Sequence, residues 1–146
     1  MITLPDAIVV DASIAMKWYL NDEADVETAI EVLNAFLRGE VVFIAPDHIR
    51  YEVANALWQA TRSGRIEDRF GRSSLDECLV CSIPSVADNL LIVDAYEFAV
   101  LFGCALYDGL YLALATRESV PLVHADRRLR NVLGGRFDLE LWIGDL

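Results

Sequence analysis

Lysine is almost missing from this sequence: Lys17 is the only one. Positive charge of any kind is short, with 12 Lys and Arg against 23 Asp and Glu and a formal net charge of −11 over 146 residues. That balance argues against a chain that holds a polyanion by covering it with basic surface. Cysteine is scarce and odd in number, at three, which excludes the disulfide framework of a small secreted protein. Cys78 and Cys81 form a lone Cys-x-x-Cys within the helix-like stretch Leu75 to Cys81. A zinc ribbon needs a second pair and a redox motif sits just after a strand, so these read as half-buried thiols. No long apolar run goes uninterrupted. The most apolar region, Leu90 to Ala115, is broken by Asp94, Glu97 and Asp108, whereas a membrane-spanning helix needs about 20 nearly uncharged residues. The N-terminus lacks a basic stretch followed by an apolar run and a small-residue cleavage site. No membrane association is expected, and the cytoplasm is the expected location.

Hydrophobic residues, by contrast, are plentiful at 55%. The length suits one domain over residues 1–146, with ample material for a core. The apolar excess has two readings: helices buried on both sides of a sheet, or surface hidden in a dimer or under a partner. Short apolar strands alternate with amphipathic helices, the pattern of an α/β domain with a mainly parallel sheet. Strands are expected at Ala7 to Val10, Val41 to Ala45, Ile83 to Val86 (or an extended link there), Pro121 to His124 and Leu139 to Trp142. Helices are expected after Asp11, from Asp22 to Leu37, from Pro46 to Ala60, from Ile66 to Val80, from Asn89 to Phe102 and from Tyr107 to Thr116.

Two acids share one local setting. Asp11 directly follows Ile8-Val9-Val10, and Asp126 follows Leu122-Val123-His124-Ala125. Both fall at the carboxyl end of a predicted parallel strand, the edge at which open α/β sheets bind ligands. Two more acids, Glu52 and Asp108, sit within apolar helical stretches, where an unpaired carboxylate is costly to desolvate. Converging carboxylates repel: two unit charges about 4 Å apart cost on the order of 4 kcal/mol at an effective dielectric of about 20. Such a cluster persists by keeping protons or by binding a cation. Oxygen-only ligation selects hard ions such as Mg²⁺ or Mn²⁺, and a small number of protein ligands leaves room for water and a phosphate. That is the arrangement of metal-assisted phosphodiester hydrolysis.

Four segments together resemble the PIN-domain family, and within it the VapC-like toxins of toxin–antitoxin pairs. They are Val9-Val10-Asp11-Ala12-Ser13, Arg50-Tyr51-Glu52-Val53-Ala54-Asn55-Ala56-Leu57, Tyr107-Asp108-Gly109-Leu110-Tyr111-Leu112-Ala113-Leu114-Ala115 and His124-Ala125-Asp126. Each is weak alone; the four in order and at suitable spacing span nearly the whole chain. The resemblance implies a three-layer α/β/α sandwich around a parallel sheet of about five strands. It implies an endoribonuclease dependent on Mg²⁺ or Mn²⁺, with Asp11, Glu52 and Asp108 as the main metal-binding set and Asp126 completing the pocket or positioning water. It further implies a homodimer silenced by a small antitoxin protein. Two positions depart from the family pattern: His124 stands where a small hydroxyl residue or asparagine is usual, and Gly109 where alanine is common, which should loosen the helix start slightly.

Around the acids several assignments stay open. Ser13 hydrogen-bonds a ligand or caps a helix. Asn55, one turn after Glu52, orients it, touches substrate or is a polar surface residue. His124 bonds a metal-held water or a phosphate, or fills space. Arg62, Arg65, Arg69 and Arg72, and again Arg127, Arg128 and Arg130, contact RNA or are solvated helix faces. A phosphatase of the haloacid-dehalogenase type would carry a second aspartate where Ser13 stands and a suitably placed lysine. The alternative function is a PIN-like regulator that binds RNA or a partner without cutting.

Overall fold

The computed structural model describes all of residues 1–146. Five strands form one sheet in the order β3-β2-β1-β4-β5, with every neighbouring pair parallel. They are β1 (Ala7–Val10), β2 (Val42–Pro46), β3 (Ser85–Val86), β4 (Leu122–His124) and β5 (Glu140–Trp142). The helices are α1 (Ala12–Lys17), α2 (Val26–Leu37), α3 (Ile49–Arg62), α4 (Asp68–Val80), α5 (Ile92–Phe102), α6 (Leu106–Glu118) and α7 (Arg127–Leu133). This is the three-layer α/β/α architecture expected from the sequence.

The strand order explains where a site can form. From β1 the chain winds outward through β2 to β3, then returns to β4 and winds outward the other way to β5. Right-handed crossovers place the helices of the two halves on opposite faces of the sheet. β1 therefore lies at the point where the winding reverses, and the crevice opens between the carboxyl ends of β1 and β4. The two strands that flank that crevice are deeply enclosed: Ile8, Val9 and Val10 of β1 and Leu122, Val123 and His124 of β4 are fully buried. α6 lies across β1, β2 and β4. Its residues Gly109 through Ala115 are all buried, which accounts for its Leu- and Ala-rich, stripe-free sequence.

Three expectations need correction. The helix read from Asn89 to Phe102 is broken: Asp88–Leu90 forms a 3₁₀ turn, Leu91 is buried against the core, and α5 starts at Ile92. The Asp88 carboxylate accepts the backbone N–H of His48 at 3.0 Å, which ties that turn to the start of α3. The helix expected from Asp22 starts only at Val26. Asp22 and Glu23 are held by Arg65, and Glu23 also by Lys17 at 3.1 Å, so long-range ion pairs draw them away from a helical first turn. Gly109 does not loosen α6; a Cβ there would collide with the Ala95 carbonyl of α5, so glycine permits the close crossing of these two helices.

The apolar excess has a location. α5 leaves Ile92, Val93, Tyr96, Val100 and Leu101 exposed, and the α3–α4 pair leaves Trp58, Phe70, Leu79 and Val80 exposed. No single helix is long and apolar enough to cross a membrane.

Candidate active site

A helix that follows a parallel strand begins at the sheet's carboxyl edge. The first turns of α1, α3 and α7 are therefore delivered to the edge where β1, β2 and β4 end, and α6, which leads back into β4, starts there as well. That topology gathers Asp11, Glu52, Asp108 and Asp126 from segments far apart in sequence.

Asp11 is the N-cap of α1. Its Oδ2 accepts the Ser13 N–H at 2.9 Å, and its own N–H continues the ladder to the Val123 carbonyl at 3.1 Å. It is 6% exposed, and burial pushes its carboxyl pKa up; the Ser13 bonds and His124 pull the other way, while Asp126 adds to the rise. Glu52 lies in the first turn of α3, where its Oε1 accepts the Tyr111 hydroxyl at 2.8 Å. Burial, then Asp11, Asp108 and Asp88, push Glu52 to about 8 against the Tyr111 bond. Asp108, in the first turn of α6, is pushed to about 6 by burial and by Asp11 and Asp126, with Arg128 opposing. Asp126 is the N-cap of α7, its Oδ1 accepting the N–H groups of Arg128 at 2.9 Å and Leu129 at 3.3 Å. Asp11, Asp108 and Asp126 thus each raise the cost of ionising at least one other acid of the set, and Glu52 bears that cost from two of them.

The donor set is oxygen only, and Asp11, Glu52 and Asp108 hold their protons more tightly than ordinary carboxyls, which suits a hard divalent cation that would take the protons' place. The side chains do not stand as a ready-made cage: no three acidic, His or Cys groups are gathered around one point. Asp11, Glu52 and Asp108 are the residues that would hold an ion, and Glu52 keeps Oε2 clear of the Tyr111 bond.

The surrounding residues resolve several open readings. Ser13 is not the helix cap; Asp11 is, and Ser13 Oγ accepts the Ala125 N–H at 2.9 Å, joining the ends of β1 and β4. His124 is fully buried, and both ring nitrogens are occupied. Nε2 lies 3.0 Å from Glu140 Oε1, and Nδ1 accepts the Asp126 N–H at 3.3 Å, which makes Nε2 the protonated nitrogen. It therefore braces the backbone of Asp126 from behind. Asn55 is exposed and makes no hydrogen bond to Glu52; it borders an open groove of about 690 Å³ with Met16, Leu20, Trp58, Arg62 and Arg65.

The arginines divide. Arg65 is committed to Asp22 and Glu23, and Arg72 to Asp68 at 2.8 Å, whereas Arg62 and Arg69 are exposed without an ion-pair partner. Arg128 reaches to 4.0 Å from Asp126. Arg127 and Arg130 lie over the Trp142 ring at 5.9 and 4.8 Å, and Arg130 also pairs with Asp145 at 3.3 Å. Sequence reading passed over Tyr111, His48, Asp88 and Glu140. Two carried a usable signal: Tyr111 is three residues after Asp108 and His48 four before Glu52, each one helical turn from an acid.

The PIN domain profile matches residues 8–134. Over 134 residues the chain is 33% identical to Ribonuclease VapC12 of Mycobacterium tuberculosis, covering 92% of this chain and 98% of that one. It is 30% identical over 126 residues to Ribonuclease VapC3 of Pyrobaculum aerophilum, covering 84% and 91%. Among solved structures it resembles PAE2754 of Pyrobaculum aerophilum, with a TM-score of 0.69 and 22% identity over 95% of this chain and 85% of that one. It also resembles M. tuberculosis VapC20, described as a sarcin–ricin loop cleaving toxin, with a TM-score of 0.64 and 16% identity over 89% and 95%. With the profile spanning most of the chain and relatives at 30% identity or more along nearly their full length, the protein belongs to the PIN-domain family, among its VapC-like members.

Proposed function

We propose that this protein is a cytoplasmic endoribonuclease that hydrolyses RNA phosphodiester bonds with Mg²⁺ or Mn²⁺, and that it acts as the toxin of a toxin–antitoxin pair. The observation that carries the reading is the meeting of four carboxylates at the switch point of the sheet, three of which are penalised in ionising by burial and by their neighbours, in a chain of this family. Asp11, Glu52 and Asp108 hold the ion, and Asp126 completes the pocket. Bound there, the ion supplies Lewis acidity toward the phosphodiester and lowers the pKa of water.

The chain's own groups do the rest. The buried Tyr111 hydroxyl fixes the rotamer of Glu52, and the Ser13–Ala125 bond sets the spacing between the ends of β1 and β4. His124, itself anchored by Glu140, steadies the backbone from which Asp126 projects. Arg127 and Arg128, at the start of α7 beside Asp126, are better placed for a phosphate chain than Arg65 and Arg72 of the α3–α4 region or Arg130, all of which are already paired. The exposed apolar face of α5 suits a homodimer, and the groove beside Trp58 with the apolar α3–α4 surface suits a small antitoxin protein.

The lack of a ready-made ion cage favours the second reading, a PIN-like regulator that binds RNA or a partner without cutting. One experiment separates the two: purified protein with a pool of folded cellular RNAs, in Mn²⁺ or Mg²⁺ and then in EDTA, beside the Asp11→Asn variant. Cuts that vanish with EDTA and with the variant are expected. RNA binding without cleavage under excess Mn²⁺ would overturn the nuclease reading in favour of the regulator.

A further inference from the structure

Beside the acids stand three aromatic rings, those of His48, Tyr51 and Tyr107. His48 and Tyr107 stack face to face, with centroids 4.2 Å apart and planes 6° from parallel. Tyr51 flanks His48 at 6.1 Å, tilted by 37°. The rings adjoin the acids in both sequence and space: Tyr51 precedes Glu52, Tyr107 precedes Asp108, and His48 Nε2 lies 4.0 Å from Glu52 Oε1. His48 forms the inner member of the stack. Tyr107 is 55% exposed and Tyr51 70%, and neither hydroxyl makes a hydrogen bond within the protein. A large aromatic side chain left this exposed forfeits burial that it gains in a core.

We infer that Tyr107 and Tyr51 form a platform on which an unpaired base of the RNA stacks, next to the phosphodiester presented to the acids. The His48–Tyr107 pair is a stack with one end open, and its near-parallel planes are the geometry a base continues. The charge of the molecule points the same way. At −11, with four acids at the crevice itself, the protein gains less from phosphate contacts than a basic RNA-binding protein does. Stacking holds RNA through its uncharged part, tolerates any base, and is available only where the base is free of a duplex. The platform thus selects looped or single-stranded targets. This inference rests on the nuclease reading for the identity of the ligand.

The test uses the full chain carrying Asp11→Asn, in Mn²⁺, with a single-stranded oligoribonucleotide containing one 2-aminopurine, whose emission falls on stacking. Tyr107→Ala and Tyr51→Ala are expected to weaken binding about tenfold or more and to restore the emission. Tyr107→Phe and Tyr51→Phe, which keep the ring and lose the hydroxyl, are expected to bind and quench as the parent does. The dependence of affinity on salt is expected to be the same in all variants, because no phosphate contact is removed. Unchanged affinity and quenching in both alanine variants would overturn the platform, as would phenylalanine variants that fail like alanine. Loss of protein-partner binding with RNA binding intact would overturn it too, by reassigning the rings to a protein interface. EDTA-sensitive cleavage by the unsubstituted chain is scored separately. Cleavage without tyrosine dependence sinks the platform alone, and tyrosine-dependent binding without cleavage sinks the nuclease alone.

Discussion

Two kinds of carboxylate meet at the crevice, and they are held in opposite ways. Asp11 and Asp126 stand where strands end and helices begin, and their side chains accept backbone N–H groups that α1 and α7 leave unpaired. These two would be stabilising in a protein with no active site. Glu52 lies within the first turn of α3 and caps nothing; Asp108 lies within the first turn of α6, where the Ala105 backbone N–H offsets only part of the cost of its burial. Glu52 has one hydrogen-bond partner, the Tyr111 hydroxyl, and its proton is held to about 8. Burial penalises ionisation of Asp11 as it does that of Glu52 and Asp108, but Asp11 offsets part of that cost through its cap on α1, whereas Glu52 has only the Tyr111 hydroxyl. A site of this kind is half scaffold and half stored repulsion.

The largest expected effect bears on what the two kinds share. Asp11→Asn and Glu52→Gln should each lower metal-dependent cleavage of RNA by two orders of magnitude or more, measured on whichever RNA the pool identifies; activity within a few-fold of the parent in either variant breaks the proposed ion-holding set. Next comes pH. Glu52 moves from an ordinary 4.5 to about 8, and Asp108 from 3.8 to about 6. Between those values the folded chain holds protons that the unfolded chain has released, so stability falls as pH rises. Without divalent ions, denaturant unfolding should show a loss on the order of a few kcal/mol from pH 5 to pH 8. Added Mn²⁺ should reduce that slope, and Glu52→Gln should reduce it too, leaving the part due to Asp11 and Asp108. A flat profile would show that the helix acids are better solvated than their burial implies.

Gly109→Ala probes how Asp108 is held from behind. The added methyl meets the Ala95 carbonyl and should cost about 1–3 kcal/mol, with α6 shifting and cleavage falling more than a surface change would allow. The smallest effect sharpens the comparison most. Asp126→Ala removes a cap and should cost about 1 kcal/mol, while Asp126→Asn, which still accepts from the first turn, should cost a few tenths at most. Glu52→Gln should have the opposite sign at pH 8 and stabilise the metal-free protein. If Asp126→Ala also stabilises, the two kinds are one.

What the sequence disclosed divides along the same line. Strand ends are legible because a β-branched run followed by an aspartate fixes both the element and its edge; Asp11 and Asp126 needed nothing else. Glu52 and Asp108 were legible as acids in apolar surroundings and through the family pattern. Partners supplied from a distance were not. The Tyr111 hydroxyl that meets Glu52 is 59 residues away, and Arg65, which delays the start of α2, is 43 from Asp22. His124 stayed open in the sequence because β4 is buried at every position, as parallel strands covered on both faces are, so alternation gave no clue that the imidazole points into the core. Gly109 misled because helix propensity says nothing of a neighbouring helix pressed against the position.

Ser13 Oγ receives the Ala125 N–H from 112 residues further along the chain, and β1, the first strand synthesised, acquires its β4 neighbour only then. During translation the amino-terminal half can wind β1, β2 and β3 with their helices, but it lacks the wall of the crevice that bears Asp126. A nascent or prematurely terminated chain therefore carries Asp11 and Glu52 without the rest of the set. The cell that makes this protein meets the completed crevice only after the ribosome has passed the fourth acid.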